Sequence, residues 1–381
     1  MENFTAYNPT SLHFGKDVIN QLGDVISKHG KRILLMYGKG SIKRNGIYDM
    51  VMEQLNAINA EIFEYSGIKS NPVVDDVYKA TEYGMKHNVN VILAVGGGSV
   101  LDSAKITSLS LANKVDTWDL MKRKIEPKTK IPVISVLTLA ATGSEMNGAA
   151  VLQNHGTKEK IGLVHSLNYP NHSFLDPQFT YSVSKEYTAY GIADLMAHTF
   201  ESFYGGGSAS LSDRFVEAIN KEAMEYGPKV LIEPKNYEYR ANIMWAATNA
   251  LNGLCDRGRT IGDWGTHAIG HILSFLYDTP HGATLTIASL AWMKLQKENI
   301  PERVAKLGEH LFGTTTADET IQNLSKFFKS IGCPVKLADI NIKKEQKDEI
   351  LELMNRNKVN GLVHELTDED RDKIVEYMYE E

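Results

Sequence analysis

The chain has 381 residues, with 41 Lys and Arg against 47 Asp and Glu, a net charge of −6, 30 Gly, 12 His and two Cys. Such proportions describe an ordinary globular protein of about two domains and exclude disordered, collagen-like and low-complexity chains. Mild acidity leaves no electrostatic footprint for nucleic acid or an anionic membrane, and Cys255 and Cys333 cannot build a disulfide framework or a multi-cysteine zinc site. Any metal must therefore be held by His and carboxylate.

Met1-Glu2-Asn3-Phe4-Thr5 carries an acid and no apolar core, so no export signal is expected. No run reaches the ~20 apolar residues of a membrane span, and a cytoplasmic location is expected. Ile33–Tyr37 reads as a buried strand ended by Gly38, followed by a helical pattern at 46–58 and an apolar strand-like run at 60–65. A helix at 75–87, a buried strand at Val91–Val95 and a third at 131–136 follow. Strands alternating with helices at this spacing predict a parallel, Rossmann-like α/β sheet. After Ser184 the pattern changes to long helical periodicities at about 185–204, 212–226, 237–252, 263–275 and 282–294, and the charged stretch 343–356 continues them. The expected division is 1–184, α/β, and 185–381, all helical.

Val95-Gly96-Gly97-Gly98-Ser99 follows a buried strand and opens a helix. Glycines there let backbone approach a ligand, and the helix N-terminus offers free N–H groups, a combination suited to a diphosphate. The alternative is a plain turn with a capping arrangement of Ser99 and Asp102. Gly38-Lys39-Gly40-Ser41-Ile42-Lys43-Arg44, after the first buried strand, is a candidate adenosine contact. It holds three cations and no carboxylate to accept from a ribose hydroxyl, which favours NADP(H) over NAD(H) if the loop faces that ribose.

Asp194 and His198 stand i, i+4 on a strongly helical, apolar segment, and His267 and His271 repeat that spacing. His281 follows Pro280 at the start of another helix. A buried carboxylate beside buried imidazoles needs a compensating partner, and Zn²⁺ or Fe²⁺ is a suitable one. Three or four of these five groups suffice, and spacing does not decide whether His271 or His281 is the spare. His13, His29, His87, His155, His165, His172, His310 and His364 have no partner at ligand spacing and read as surface residues.

Gly96-Gly97-Gly98-Ser99 with Asp102 and Lys105, Thr142-Gly143-Ser144-Glu145, Asp176-Pro177, Asp194-x-x-x-His198, His267-x-x-x-His271 and His281-Gly282 together resemble the iron-containing (group III) alcohol dehydrogenase family across nearly the whole chain. The stretch 246–253 and the missing acid after the first strand look most like its NADPH-dependent butanol dehydrogenase and aldehyde reductase branch. Phe275 departs from the pattern, standing where the family often has a small residue. The resemblance implies a dinucleotide-binding domain, a helical metal-binding domain and a metal in the cleft between them. It implies Asp194, His198, His267 and His281 as ligands of one divalent ion (Fe²⁺ or Zn²⁺, with Mn²⁺ or Ni²⁺ also suited) and His271 as a proton relay. It places Gly97, Gly98, Ser99 and Asp102 at the diphosphate, Thr138, Thr142 and Lys160 on the nicotinamide side, and Gly38 and Ser41 at the adenosine end. It also implies Lys39, Asn71 and Phe179 as further cofactor contacts. The expected activity is hydride transfer between NADP(H) and a primary alcohol/aldehyde pair, in a homodimer without nucleic-acid or membrane partners. The rivals are a metal- and NAD-dependent lyase or cyclase of the dehydroquinate synthase type, a glycerol dehydrogenase-like polyol dehydrogenase, and a non-catalytic nucleotide-binding protein.

Overall fold

Continuous apolar runs become the middle of a sheet. In the computed structural model, which describes residues 1–380, Ile33–Tyr37 and Val91–Val95 are buried throughout, as strands covered on both faces must be. The first unit, Tyr7–Val183, runs β1 (Ser11–Phe14), α1 (Leu22–Ser27), β2 (Arg32–Tyr37), α2 (Ser41–Arg44), α3 (Ile47–Ala57), β3 (Glu61–Tyr65), α4 (Val74–Lys86), β4 (Val91–Gly96), α5 (Gly98–Asn113), α6 (Thr117–Met121), β5 (Val133–Leu137), β6 (Ala149–Asn154), β7 (Glu159–Val164) and β8 (His172–Leu175). Six strands form a parallel sheet in the order β1-β8-β5-β4-β2-β3, and β6 and β7 form a separate antiparallel hairpin.

That order places a topological switch between β2 and β4. The chain leaves β2 outward to β3, then returns to β4 on the other side and continues to β5. Such a switch opens a crevice at the carboxyl ends of the strands, where α/β sheets bind ligands. The loops after β2, β4 and β5 emerge there side by side. Below them, Ile33, Leu35, Val91 and Leu93 pack with Val51 and Leu55 of α3 on one face. The hairpin instead lies on α5, through Ala150, Leu152 and Leu163 against Ile106 and Leu109.

The second unit comprises Met1–Ala6 and Ser184–Glu381, so the first six residues group with the helices; the Glu2 amide donates to the Gly258 carbonyl at 2.9 Å. Its helices are α7 (Lys185–Phe203), α8 (Ser210–Ile232), α9 (Tyr237–Ala250), α10 (Gly265–Tyr277), α11 (His281–Gln296), α12 (Pro301–Phe312), α13 (Ala317–Ser330), α14 (Lys347–Arg356) and α15 (Asp368–Tyr379). Among the described residues this unit has no strand, as its periodicities predict. The apolar pattern of α8 fades at Tyr226, yet the helix continues through Pro228 to Ile232, at the cost of the one backbone bond that proline cannot donate. No described helix is long and apolar enough to cross a membrane.

Candidate functional site

Helix α7 is buried from Gly191 to Phe203, so its polar residues point into protein, not water. Asp194 and His198 sit there one turn apart, 2% and 3% exposed. The Asp194 Oδ1 atom lies 3.7 Å from His198 Nε2, 3.9 Å from His267 Nε2 and 3.7 Å from His281 Nε2. The nearest donor atoms of Asp194, His267 and His281 all fall within 4.8 Å of one another, and the His198 ring stacks on that of His267 at 4.8 Å. Burial, then the neighbouring His267, holds His198 well below the usual imidazole range, so it presents a neutral lone pair. One carboxylate oxygen with three imidazole Nε2 atoms within 3.9 Å of it suits a divalent transition metal; His198 is not in the group of three whose donors lie within 4.8 Å of one another.

His271, the alternative that spacing left open, adjoins His281. It is half-buried on α10 with its ring 5.4 Å from that of His281.

His281 is brought in by a close helix approach. A Cβ at Gly282 would lie 2.1 Å from the Tyr190 carbonyl oxygen, one turn before Asp194 on α7. Only glycine allows α11 to start there. Gly282→Ala is therefore expected to destabilise by about 1–3 kcal/mol, the range for overpacked interiors. The thermal midpoint should fall by about 3–10 °C, and an unchanged midpoint would show that the two helices separate freely.

A residue outside the sequence-derived set orients His267. The Oε1 atom of Glu201, 2% exposed, accepts from the His267 amide at 2.8 Å and lies 2.9 Å from His267 Nδ1. With Nδ1–H turned to this oxygen, the lone pair sits on Nε2, the atom facing Asp194. Burial first, then Asp263, pushes the Glu201 carboxyl well above its usual range, while backbone donors from His267, Trp264 and Thr266 pull it down. Those donors are the first amides of α10, where a carboxylate also meets the positive helix end. Asp263 completes this terminus, its Oδ2 accepting from Gly265 N at 3.2 Å and its Oδ1 from His364 N at 2.8 Å. Glu201 was legible as the third member of an i, i+4, i+7 series with Asp194 and His198 on one helical face.

In the α/β unit the glycine loop closes on the segments after β3 and β5. A Cβ at Gly98 would meet the Thr142 side chain at 2.5 Å, and one at Gly97 would meet Leu139 Cβ at 3.3 Å. Thr138 N donates to Gly96 O at 3.0 Å, and the Ser99 hydroxyl donates to the Ser70 carbonyl. Beside Ser70, buried Asn71 accepts from Lys160 Nζ at 2.8 Å, so Ser99, Asn71 and Lys160 gather from three separate segments. Gly38 is half-buried, while Lys39 and Ser41 are exposed after β2.

Asp102 and Phe179 also make contacts within the unit. The Asp102 carboxylate accepts from Ser144 Oγ at 2.7 Å and Val151 N at 2.9 Å, tying α5 to β6. Phe179 is 5% exposed within the core of the sheet. Lys105, 1% exposed, donates to Asn147 O, Asn147 Oδ1 and Ala149 O at 2.8–3.2 Å, and burial pulls its ammonium down to about 8.

The surface reading of the remaining histidines needs correction, since of those eight only His155 is exposed. His13, on edge strand β1, faces His172 on β8 because those strands pair, with Nε2 and Nδ1 3.2 Å apart. The His29 ring packs edge-on against His172 at 5.2 Å. Burial, with neighbouring His29, His13 and Lys28, lowers His172 to about 4.

Known proteins share this architecture. Residues 9–177 match the family described as iron-containing alcohol dehydrogenase, and residues 188–379 match the Fe-containing alcohol dehydrogenase family, C-terminal. The chain is 38% identical to NADH-dependent butanol dehydrogenase A of Clostridium acetobutylicum, over 95% of this chain and 94% of that protein. It is 35% identical to an NADPH-dependent aldehyde reductase of Escherichia coli, over 90% of each. The crystal structure of NADH-dependent butanol dehydrogenase A from Thermotoga maritima superposes with a TM-score of 0.96 at 37% identity, covering 100% of this chain and 99% of that one. The chain belongs to the iron-containing alcohol dehydrogenase family, metal-dependent oxidoreductases that interconvert alcohols and aldehydes with a nicotinamide cofactor.

Proposed function

We propose that the chain reduces short aliphatic aldehydes such as butanal to primary alcohols with NADPH, with one divalent ion held by Asp194, His198, His267 and His281. The observation that carries this reading is the convergence of three imidazole Nε2 atoms within 3.9 Å of one buried carboxylate oxygen. Fe²⁺ or Zn²⁺ suits these donors, and Mn²⁺ or Ni²⁺ is also compatible with them. When bound, such a cation polarises a carbonyl oxygen, and the reduced nicotinamide supplies the hydride.

The chain's own residues do the rest. Burial of Asp194 and His198 excludes water from the donors, and Glu201 holds His267 in register. His271, half-buried beside His281, gives the proton that the product oxygen needs. In the α/β unit, Gly97, Gly98 and the first amides of α5 receive the diphosphate, with Ser99, Asn71 and Lys160 beside it. Thr138 and Thr142 serve the nicotinamide side.

NADP(H) is favoured by the cations of the loop after β2, of which Lys39 and Arg44 are exposed and Lys43 lies 3.4 Å from Glu64. The relatives named above for NADH and for NADPH show that both choices occur at comparable identity. The two cysteines, free and buried, fit work in a reducing cytoplasm.

Elemental analysis of the purified protein, followed by assay of C2–C6 aldehydes with NADPH and NADH, tests the reading. Chelation should abolish turnover and Fe²⁺ or Zn²⁺ should restore it. An intact rate after metal stripping would overturn the metal proposal, and a clear preference for NADH in kcat/KM would overturn the NADP reading.

A further inference from the structure

The loop after β2 holds cations and no acid, but the parallel register brings an acid to it from the neighbouring strand. Leu35 of β2 stands opposite Glu64 of β3, and strand alternation puts Leu35, Tyr37 and Glu64 on one face. Three groups grip the Glu64 carboxylate. Tyr37, the last residue of β2, donates its hydroxyl to Oε2 at 2.6 Å. Tyr48 of α3 donates to Oε1 at 2.6 Å, and Lys43 Nζ lies 3.4 Å from Oε2. The same ammonium sits 4.3 Å from the Tyr48 ring centre and 5.2 Å from that of Tyr37.

Partial burial works against the Glu64 charge, but the two hydroxyls and Lys43 outweigh it, and the carboxyl is held below its usual range. The bond to Glu64 is the main cause that pushes Tyr48 up to about 12. An isolated exposed ion pair contributes little to stability. A carboxylate clamped by two tyrosines at the mouth of a candidate nucleotide loop does something else: it fixes a negative charge there and occupies one of the loop's three cations.

We infer that Glu64 limits how strongly the 38–44 loop prefers a dinucleotide bearing a 2′-phosphate over one with a free 2′-hydroxyl. A phosphate monoester is doubly charged near neutrality and is drawn to unpaired Lys and Arg. A fixed carboxylate beside those cations opposes it, while an uncharged ribose hydroxyl is indifferent. Lys43, bonded to Glu64, is withheld from the phosphate, and Lys39 and Arg44 remain exposed to it. This rests on the α/β unit being the dinucleotide site.

The test is direct binding of NADPH and NADH, read from nicotinamide fluorescence without substrate, in wild type, Glu64→Gln, Lys43→Met and the double variant. Glu64→Gln keeps an acceptor for the tyrosines and removes the charge. Its Kd for NADPH should tighten about tenfold, with NADH within about twofold, the expected scale for one charge acting on a dianion through water-like surroundings. Most of that gain should vanish in the double variant. Equal shifts for both cofactors, or no shift, would overturn the role of Glu64 while leaving the dinucleotide site intact. Failure of the wild type to bind either cofactor would overturn the dinucleotide reading itself.

Discussion

Asp194→Asn is expected to leave a folded protein that retains no divalent ion and reduces butanal at about a thousandth of the wild-type rate. Cationic polarisation of a carbonyl is worth several kcal/mol in the transition state, and each 1.36 kcal/mol is tenfold in rate, so about three orders of magnitude follow from losing the ion. The Asn side chain has the same shape but neither the charge nor the pair of donor oxygens with which a carboxylate joins neutral imidazoles in holding a divalent cation. Folding should survive, because without a cation the buried carboxylate, 2% exposed, costs free energy that an amide does not. Thermal denaturation separates the two effects. Wild type in excess Zn²⁺, at about one hundred times Kd, should gain about 2.7 kcal/mol, or about 5–10 °C for a domain this size. The variant should show no metal-dependent shift and an apo midpoint at or above that of wild type. A metal-dependent shift equal to wild type in Asp194→Asn would remove Asp194 from the ligand set.

How much of this site the sequence carried depends on whether partners were close along the chain. Asp194 with His198 and His267 with His271 are each one helical turn apart, so the 3.6-residue period alone places each pair on one face. That period does not say which other helix the face meets. On spacing alone His271 and His281 are therefore interchangeable, and only the resemblance names His281; in the fold, the approach of Gly282 to Tyr190 goes with a His281 Nε2 3.7 Å from Asp194. The central strands β2 and β4 announced themselves as unbroken apolar runs. Strands β1 and β8 did not, being four residues each at one side of the sheet, with β1 half exposed. The hairpin β6–β7 hid for another reason: it carries Gln153, Lys160 and Gly162 among its apolar residues. His13 and His172 looked solitary because pairing of β1 with β8 joins residues 159 positions apart. Glu64 shows the same limit, since no pattern within the 38–44 loop reveals an acid contributed by the next strand.

Replacing Glu201 divides what it does for metal affinity from what it does for the fold. Its Oε1 atom takes both the amide and the ring Nδ1 of His267, and outer partners of this kind change metal affinity by about 10–100-fold. Glu201→Gln keeps one oxygen able to accept from the α10 amides, so its thermal midpoint should stay near that of wild type. Its amide can turn either O or NH₂ toward Nδ1, so the ring is held less firmly, and metal affinity measured by competition with a chelating dye should fall about tenfold. Glu201→Leu removes the acceptor altogether. Buried amides at the start of α10 are then unsatisfied at about 1–3 kcal/mol, so the midpoint should fall, and metal affinity should fall about a hundredfold because His267 is free to turn its other nitrogen inward. A purely structural Glu201 predicts a different pair of results: both variants lose stability and metal affinity in proportion. The decisive comparison is the Gln variant, in which a weaker metal site on an unchanged fold can arise only from the bond between Glu201 and His267.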